Sequence, residues 1–194
     1  MKTVALVKYN AGNVTSVVNT IHRLGFQTII TDNPNELIQA EKVIFPGVGE
    51  AKSAMNYLKE RGLDQIIKDL KQPVLGICLG LQLLCQKSEE GNVNCIGIFD
   101  SEVKLFTVPR IVPHMGWNSL NNLKSPLFKG ISEESNVYFV HSYYATIGKE
   151  TIAQSDYEQV FSSALHKNNF YAVQFHPEKS ADIGAAILKN FLEL

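Results

Sequence analysis

Residues 73–82 read PVLGICLGLQ. The first half is a short apolar run, which predicts a buried strand, and the second half predicts the start of a helix. Cys78 stands at the junction, with Gly76 two positions before it and Gly80 two positions after it. This spacing is typical of a nucleophile elbow, a sharp strand-to-helix turn that projects one side chain from the edge of a sheet. The stretch therefore predicts a nucleophilic thiol at the end of a central strand.

Such a turn has two physical consequences for Cys78. It brings backbone segments close together, which is why its neighbours must be small. It also leaves backbone N–H groups unpaired at the helix start, and these donors with the helix dipole favour a thiolate and a developing oxyanion. A buried core cysteine fits the same local pattern, because free cysteine is among the most buried residue types. The stretch alone does not decide between the two interpretations.

Composition limits the kind of protein this is. The chain has 194 residues and 45% hydrophobic content, so we expect a single domain over residues 1–194. A formal net charge of −1 offers no electrostatic attraction for nucleic acid or an anionic membrane, and we expect neither as a partner. No apolar run of about 18 residues predicts a membrane span.

Cysteine usage points to a reducing compartment. Three cysteines without a CxxC spacing argue against both a disulfide framework and a zinc site, so we expect no metal. We interpret Cys85 as a packing residue and Cys95 as a loop thiol. The first residues run directly into a strand pattern without a signal peptide, and cytoplasmic localisation is therefore expected.

Strands and helices alternate in the first half of the chain. This alternation predicts βαβ units, a mostly parallel sheet and a site at the carboxyl ends of its strands. Strands are expected at residues 3–7, 27–31, 43–45 and 74–77, and helices at about 13–24, capped by Asn13, and at 50–61 and 63–70.

The second half has a different pattern, with short strands and few helices between them. It predicts antiparallel or mixed additions to the sheet, and then a final helix over residues 181–192 with Ser180 as its N-cap. The strands are expected at residues 96–106, 137–140, 145–153, 160–165 and 170–175.

A cysteine nucleophile needs a base and a group that orients the base. His176 ends an apolar strand on the expected site edge, and Pro177 favours an extended backbone at the histidine. Positions i and i+2 then point the same way, so Glu178 can reach the second nitrogen of the His176 ring. A polar turn is the alternative for His-Pro-Glu, and the cysteine elbow in the same chain favours the catalytic interpretation.

The segment PGVG, residues 46–49, ends one predicted strand and opens a helix. Its glycines let the N–H groups of Val48 or Gly49 approach a developing oxyanion, with the Leu79 N–H as a second donor. One such donor contributes about 3 kcal/mol in a comparable acyl-transfer site. A tight turn without a ligand is the alternative, and the segment is no dinucleotide fingerprint because the third glycine is missing.

These motifs together resemble a known family. The segments GICLGLQ and FHPE, in the order Cys…His…Glu, resemble the class I (triad) glutamine amidotransferases. More narrowly, several segments resemble the glutaminase subunits of imidazole glycerol phosphate synthases. They are NAGN at 10–13, PGVG at 46–49, VPHMGWN at 112–118, YFVHSYY at 138–144 and HPEKS at 176–180.

The resemblance implies a flavodoxin-like, three-layer α/β sandwich and a glutaminase reaction without a cofactor. In that reaction Cys78 attacks the side-chain amide of L-glutamine, His176 transfers protons and Glu178 orients His176. The resemblance also implies which residues hold the glutamine, namely Gly47, Gln82 and the backbone around Ser142 and Tyr143.

The resemblance further implies a heterodimer with a TIM-barrel cyclase subunit, which receives the ammonia and makes imidazole glycerol phosphate and an aminoimidazole carboxamide ribonucleotide in histidine biosynthesis. The sole tryptophan, Trp117, equally fits a core aromatic by its sequence; the resemblance favours the interface. The interface residues so implied are Asn13, Trp117, Asn118, Tyr138 and Lys179. For His141 we expect a structural role near the site.

Three alternatives are weighed against this reading. One is a glutaminase subunit of another synthase, such as the pyridoxal phosphate one, against which the segment PHMGWN argues. Another is a cysteine hydrolase or redox-stress protein of flavodoxin-like architecture, against which the pair Pro177-Glu178 argues. The last is a non-catalytic binding module with a relic site, against which the intact triad argues without excluding it.

Overall fold

The computed structural model describes residues 3–10 and 14–194. The predicted helix cap and interface residue Asn13 therefore lies outside the described residues. The strands are β1 Thr3–Val7, β2 Gln27–Thr31, β3 Lys42–Gly47, β4 Val74–Cys78, β5 Lys87–Ser88, β6 Val93–Asn94, β7 Glu102–Leu105, β8 His114–Ser119, β9 Asn136–His141, β10 Tyr143–Ala145, β11 Thr151–Asp156, β12 Val160–Lys167 and β13 Phe170–Val173. The helices are α1 Thr15–Arg23, α2 Pro34–Gln39, α3 Ala51–Glu60, α4 Leu63–Asp69, α5 Leu79–Leu84 and α6 Ala181–Leu192, with short 3₁₀ turns at Pro126–Phe128 and Pro177–Lys179.

One large sheet organises the molecule. Its strands lie in the order β2-β1-β3-β4-β13-β12-β10-β7-β5-β6, and β11 pairs with β12. The first five strands in this order are parallel to one another, whereas β12 is antiparallel to β13, and β10 and β6 add further antiparallel pairings. This confirms the prediction of a parallel sheet with mixed additions from the second half of the chain.

The core lies on both faces of the sheet. Alternate residues of a strand point to opposite faces, and the fully buried residues of β1 divide in this way. Ala5 and Val7 pack in one cluster with Met55 of α3, and Val4 and Leu6 pack in a second cluster. The second cluster also contains Ile21 of α1 and three residues of α6, namely Ile187, Leu188 and Phe191. Helices thus cover both faces, as the predicted three-layer sandwich requires.

The predicted strand at 96–106 is wrong over its first half, since only Glu102–Leu105 is a strand. The backbone N–H groups of Ile96 and Ile98 instead donate to the carbonyls of Leu83 and Leu84, both at 2.8–2.9 Å. Those carbonyls belong to the last turn of α5, where a helix has no partners of its own for its C=O groups. The segment therefore closes the end of α5 rather than pairing with a strand.

The predicted strand at 145–153 is divided by a turn. The Gly148 N–H donates to Thr151 Oγ1 at 2.9 Å, and the Thr151 N–H donates back to the Gly148 carbonyl at 3.2 Å. This turn separates β10 from β11, and β11 returns along the outer side of β12.

Residues 114–119 form strand β8, for which the sequence predicted no element, and they pair with β9 in a separate two-stranded sheet outside the main one. One further expectation needs correction. Ser180 stands at the N-cap position of α6, but its side chain does not cap the helix. Its hydroxyl donates to the His176 carbonyl at 2.7 Å and accepts from the Tyr138 N–H at 2.9 Å. Ser180 thus connects β9 to the segment that carries the predicted base.

Candidate active site

Cys78 occupies the predicted elbow. It is the last residue of β4 and immediately precedes α5, with a φ of 54° that a non-glycine residue rarely adopts. A Cβ on Gly80 would lie 1.8 Å from the Phe45 carbonyl oxygen, and one on Gly76 would lie 3.0 Å from the Gly80 carbonyl. Glycine is therefore needed at both positions, because the backbone of α5 lies too close to the backbones of β3 and β4 to leave room for a side chain.

The ring of His176 is held by Glu178. Its Nδ1 lies 2.8 Å from Glu178 Oε1, and both side chains are buried. His176 is extended, with φ −97° and ψ 97°, and Pro177 opens the 3₁₀ turn that carries Glu178 back toward the ring. The predicted contact between His176 and Glu178 is present, but a 3₁₀ turn, and not a continued extended backbone, brings Glu178 to the ring. Nε2 is the ring nitrogen that this contact leaves available.

The environment of His176 favours its protonated form. Burial lowers the pKa of the imidazole, but the interactions with the Cys78 thiol and with the Glu178 carboxylate outweigh it and raise the pKa to about 10. The Nε2 atom is buried and has no well-formed hydrogen bond within residues 3–10 and 14–194. Leaving a buried N–H group without an acceptor costs free energy. This nitrogen is therefore suited to donate to a thiolate or to a substrate atom.

A cavity of about 330 Å³ opens above the thiol. Eight of its lining residues are ones that the sequence predicted for the site: Val48, Gly49, Cys78, Leu79, Gln82, Ser142, Tyr143 and His176. Gly47 does not line it. The space beside its Cα is filled by the Tyr9 hydroxyl, which donates to the Pro46 carbonyl at 2.7 Å, and by the side chain of Leu79. The structure thus places Gly47 behind the cavity wall.

The segment that follows Gly47 is little packed. Val48 and Gly49 are exposed, and Gly49 has a φ of 114° with no atom within 4 Å of where its Cβ would stand. The Gly49 backbone can therefore rotate without a steric clash. Such a rotation is what the predicted oxyanion role requires, because it would turn a peptide N–H toward the cavity.

Glu90 is a cavity residue that the sequence reasoning missed. Among the described residues that line the cavity it supplies the only carboxylate, and its Oε2 accepts from the Ala51 N–H at 2.7 Å at the start of α3. Burial raises the pKa of this carboxyl, while the bond from Ala51 opposes the shift. Glu90 stands in a loop twelve positions after Cys78, and no local motif marks it. Only the fold shows that this loop borders the cavity.

The sequence predicted Gln82 as a site residue but missed Gln174, which is hydrogen-bonded to it. Gln82 Nε2 donates to the Tyr143 carbonyl at 3.0 Å and to Gln174 Oε1 at 3.1 Å, and Gln174 Nε2 lies 3.7 Å from Cys78 Sγ. The available signal was the position of Gln174, two residues before His176 on the same face of an extended segment.

A chain of hydrogen bonds leads from the cavity to β8. His141 Nδ1 lies 2.8 Å from the Tyr143 carbonyl, an obligate acceptor, so Nδ1 carries the proton and Nε2 accepts. His114 Nδ1 lies 3.0 Å from that Nε2 and must donate to it. His114 Nε2 then accepts from Asn118 Nδ2 at 3.3 Å. The carbonyl of Tyr143 therefore fixes the tautomer of both rings, and His141 has the structural role that was expected.

Both rings of this pair are held neutral. Burial is the main cause, and it lowers the pKa of His114 to about 4 and that of His141 to about 3. Protonation of either ring would also place two donors against each other in the chain of bonds.

We expect this histidine pair to make the protein less stable on acidification. A histidine whose pKa is lowered by folding binds more protons when unfolded, so the free energy of unfolding decreases as the pH falls below about 6.5 and continues to decrease down to the folded-state pKa. Between pH 7 and 5.5 the loss is about 1 kcal/mol for each ring. In His141→Gln the decrease over this range should be about 1 kcal/mol smaller, as measured by urea unfolding. His22→Gln, on the exposed side of α1, serves as the control and should keep the pH dependence of the parent. An equal pH dependence in parent and His141→Gln would contradict the assignment.

Two of the other predicted interface residues, Trp117 and Tyr138, contact each other on the surface beside the site. Trp117 on β8 is 56% exposed and contacts Tyr138 of β9 edge to face, with 6.0 Å between ring centroids. Trp117 is therefore no core aromatic. Met115 lies two residues before Trp117 on the same side of β8 and extends this apolar face, at 64% exposure. We call the exposed side chains of Met115 and Trp117, with the half-buried Tyr138, the aromatic face.

The aromatic face is joined directly to the triad. The His176 N–H donates to the Tyr138 carbonyl at 2.9 Å. Lys179, one residue after Glu178, is exposed. Asn118 is engaged within the chain, since its Nδ2 also donates to the Asp156 carbonyl at 2.9 Å.

The described residues form neither a metal site nor a membrane-spanning helix. No group of three or more His, Cys, Asp or Glu side chains in residues 3–10 and 14–194 is arranged to hold a metal ion. Within the same described ranges, no helix is both long enough and apolar enough to cross a membrane.

Comparison with known proteins agrees with this geometry. The family model for class I glutamine amidotransferases matches residues 5–194. The chain belongs to the class I glutamine amidotransferases. Solved structures share its fold: a glutamine amidotransferase from Thermotoga maritima superposes with a TM-score of 0.73 at 15% identity, over 98% of this chain and 96% of that one. PurLQS from the same organism superposes with a TM-score of 0.75 at 15% identity, over 100% and 99% of the two chains.

Closer relatives of this amidotransferase share its full length. A protein of Bacteroides fragilis strain YCH46 named imidazole glycerol phosphate synthase subunit HisH is 59% identical over 98% of this chain and 99% of its own. Proteins of the same name from Buchnera aphidicola and Vibrio cholerae are 46% and 43% identical, each over 98% of this chain and at least 98% of their own.

Proposed function

We propose that this amidotransferase is the glutaminase subunit of an imidazole glycerol phosphate synthase in L-histidine biosynthesis. Two features support the proposal. The triad of Cys78, His176 and Glu178 opens into a cavity of a size that suits one amino acid, and full-length relatives at 43–59% identity carry the name of this subunit. We expect the chain to act in the cytoplasm, in agreement with its unpaired cysteines.

The proposed reaction begins with the ion pair of thiolate and imidazolium. The Cys78 sulfur attacks the side-chain amide carbon of glutamine, and the carbonyl oxygen becomes an oxyanion stabilised by the N–H groups of Leu79 and of Val48 or Gly49. His176 Nε2 then donates its proton to the departing nitrogen, ammonia leaves, and a glutamyl thioester remains. Water, deprotonated by the same imidazole, attacks the thioester carbon; the sulfur leaves as thiolate, glutamate is released, and the pair of thiolate and imidazolium is restored.

The cavity provides a complement for each end of glutamine. Glu90 offers a carboxylate for the α-ammonium group, and its position at the start of α3 places it next to the oxyanion segment. Gln82 and the backbone of Ser142 and Tyr143 line the opposite wall and suit the polar groups of the substrate. Gly47 contributes indirectly in this proposal, because its lack of a side chain lets the Tyr9 hydroxyl and Leu79 pack behind the oxyanion segment.

The ammonia passes to a TIM-barrel cyclase subunit in a heterodimer. We propose that this partner covers the aromatic face together with Lys179, since large exposed aromatic and sulfur side chains are typical of interface centres. Asn118 then supports the aromatic face indirectly, through its hydrogen bonds to His114 and to the Asp156 carbonyl. The exposed Val48-Gly49 segment presents its N–H groups correctly only after the partner has bound its nucleotide, so the free subunit should be nearly silent.

Glutamate release from glutamine tests the proposal. We expect negligible release by the chain alone and strong stimulation, at least about 100-fold, with the cyclase subunit of Bacteroides fragilis and its ribonucleotide substrate. Trp117→Ala should weaken this stimulation. Ile38→Ala, an equally exposed apolar residue on α2, should not.

Two other outcomes would contradict parts of the proposal. Strong release by the free chain would contradict the regulation through Val48-Gly49 but not the triad. Absence of release in the complex would contradict the assignment of the synthase.

A further inference from the structure

Gln174 is fully buried and polar, and the reaction described above gives it no task. It directly follows β13, which pairs in parallel with β4, and Val173 stands opposite Ile77 in the register of this pair. Continuing the register by one residue places Gln174 beside Cys78. The nucleophile is thus neighboured by Gln174, and His176 follows two residues later on the same face of the segment.

The orientation of both glutamine amides follows from one backbone carbonyl. The Tyr143 carbonyl only accepts, so the Gln82 atom 3.0 Å from it is the NH₂ group. The same NH₂ group lies 3.1 Å from the Gln174 side chain, which must present its oxygen there. The remaining NH₂ group of Gln174 therefore points to Cys78 Sγ, at 3.7 Å.

The Gln174 side chain has one effect on Cys78, through its NH₂ group, and another on Gln82, through its oxygen. A buried N–H directed at sulfur stabilises the thiolate over the thiol, because a charged acceptor makes the stronger hydrogen bond. At the other end, the Gln82 NH₂ group is engaged twice, so its Oε1 is the atom left for the cavity that this side chain lines.

We propose that Gln174 is a positioning residue that couples the two halves of the site: its NH₂ group holds the Cys78 sulfur as a thiolate, and its carbonyl fixes Gln82 with an acceptor toward the substrate. The inference rests on the proposed role of Cys78 as nucleophile. Gln174 does not touch the substrate in this arrangement, and its effect passes through Cys78 and Gln82.

The pH dependence of Cys78 alkylation tests the first half directly. Iodoacetamide reacts with thiolates, and peptide mass spectrometry separates Cys78 from Cys85 and Cys95. In Gln174→Met, which keeps the length and loses the donor, the pH midpoint of Cys78 alkylation should rise by about one unit, the shift expected for losing a hydrogen bond to a charged group. In Gln174→Glu a carboxylate would face the sulfur, and the midpoint should rise further. Gln159→Met, an exposed glutamine before β12, should leave the midpoint unchanged.

Kinetics of the complex with the cyclase subunit test the second half. Release of the Gln82 amide should raise KM for glutamine several-fold in Gln174→Met, in addition to a fall in kcat. In Gln174→Glu a carboxylate oxygen still accepts from the Gln82 NH₂ group, so kcat should fall while KM changes little. A purely structural role for Gln174 would lower the melting temperature without moving the alkylation midpoint or KM in the folded protein, and this result would overturn the proposal. If Gln174→Met does not fold, the isosteric Gln174→Glu decides by the alkylation midpoint. A parent protein whose Cys78 reacts no faster than a free thiol would instead contradict the triad itself, so the two failures are distinguishable.

Discussion

Cys78→Ala should abolish glutamate release by the complex, with a fall in kcat on the order of 10⁴-fold or more. The sulfur is the atom that forms the thioester, and neither the oxyanion donors nor His176 can replace it. Binding should persist, because Glu90, Gln82 and the cavity backbone are unchanged. Isothermal titration with glutamine and an assay of glutamate in the complex measure the two properties separately.

Cys95→Ala is the matched control. Cys95 is half-buried outside the cavity, and burial raises its thiol pKa to about 12, so it carries no thiolate near neutral pH. Release within a few-fold of the parent is expected. Residual turnover above about one hundredth in Cys78→Ala would show that another group acts as nucleophile.

Gly80→Ala should unfold or severely destabilise the protein, although alanine is the better helix former. Helix propensity alone would stabilise α5 by about 1 kcal/mol. The new Cβ would, however, stand 1.8 Å from the Phe45 carbonyl oxygen, a backbone atom of β3 that cannot rotate away. Overpacking of this kind costs about 3 kcal/mol, so the steric cost exceeds the gain. We expect the free energy of unfolding in urea to fall by at least about 2 kcal/mol.

The same substitution should also reduce catalysis in any folded fraction, because moving α5 displaces the Leu79 N–H beside the thiol. Gly148→Ala separates packing from a general effect of replacing glycine. Its Cβ would lie 3.6 Å from Ser101 Oγ, an ordinary contact, and the stability should change by less than about 1 kcal/mol. Equal stability of the two variants would contradict the close approach of α5 to β3.

Short-range patterns in the sequence determined the frame of the protein. The alternation of apolar runs and helical periods predicts the parallel half of the sheet, since β1, β2, β3 and β4 each depend on local residues. The Gly-x-Cys-x-Gly spacing predicts the elbow, and His-Pro-Glu predicts the pairing of His176 with Glu178, because both are geometries of two to five neighbouring residues. The two motifs meet because they follow β4 and β13, which the structure pairs in parallel, so that both strands end at one edge of the sheet.

Only the tertiary structure decided features that depend on distant partners. Residues 96–99 have strand-like composition, but the unpaired carbonyls of α5 take their N–H groups. Ser180 has the identity of a helix cap, yet its hydroxyl bridges Tyr138 and His176 instead. Glu90 and Gln174 carry no motif, and their places in the site follow from a loop and a strand register that bring them to Cys78. The sequence by itself thus determined the elbow at Cys78 and the pairing of His176 with Glu178, since each is encoded locally. The cavity wall, the hydrogen-bond chain and the exposure of Trp117 were decided by packing between segments far apart in the chain.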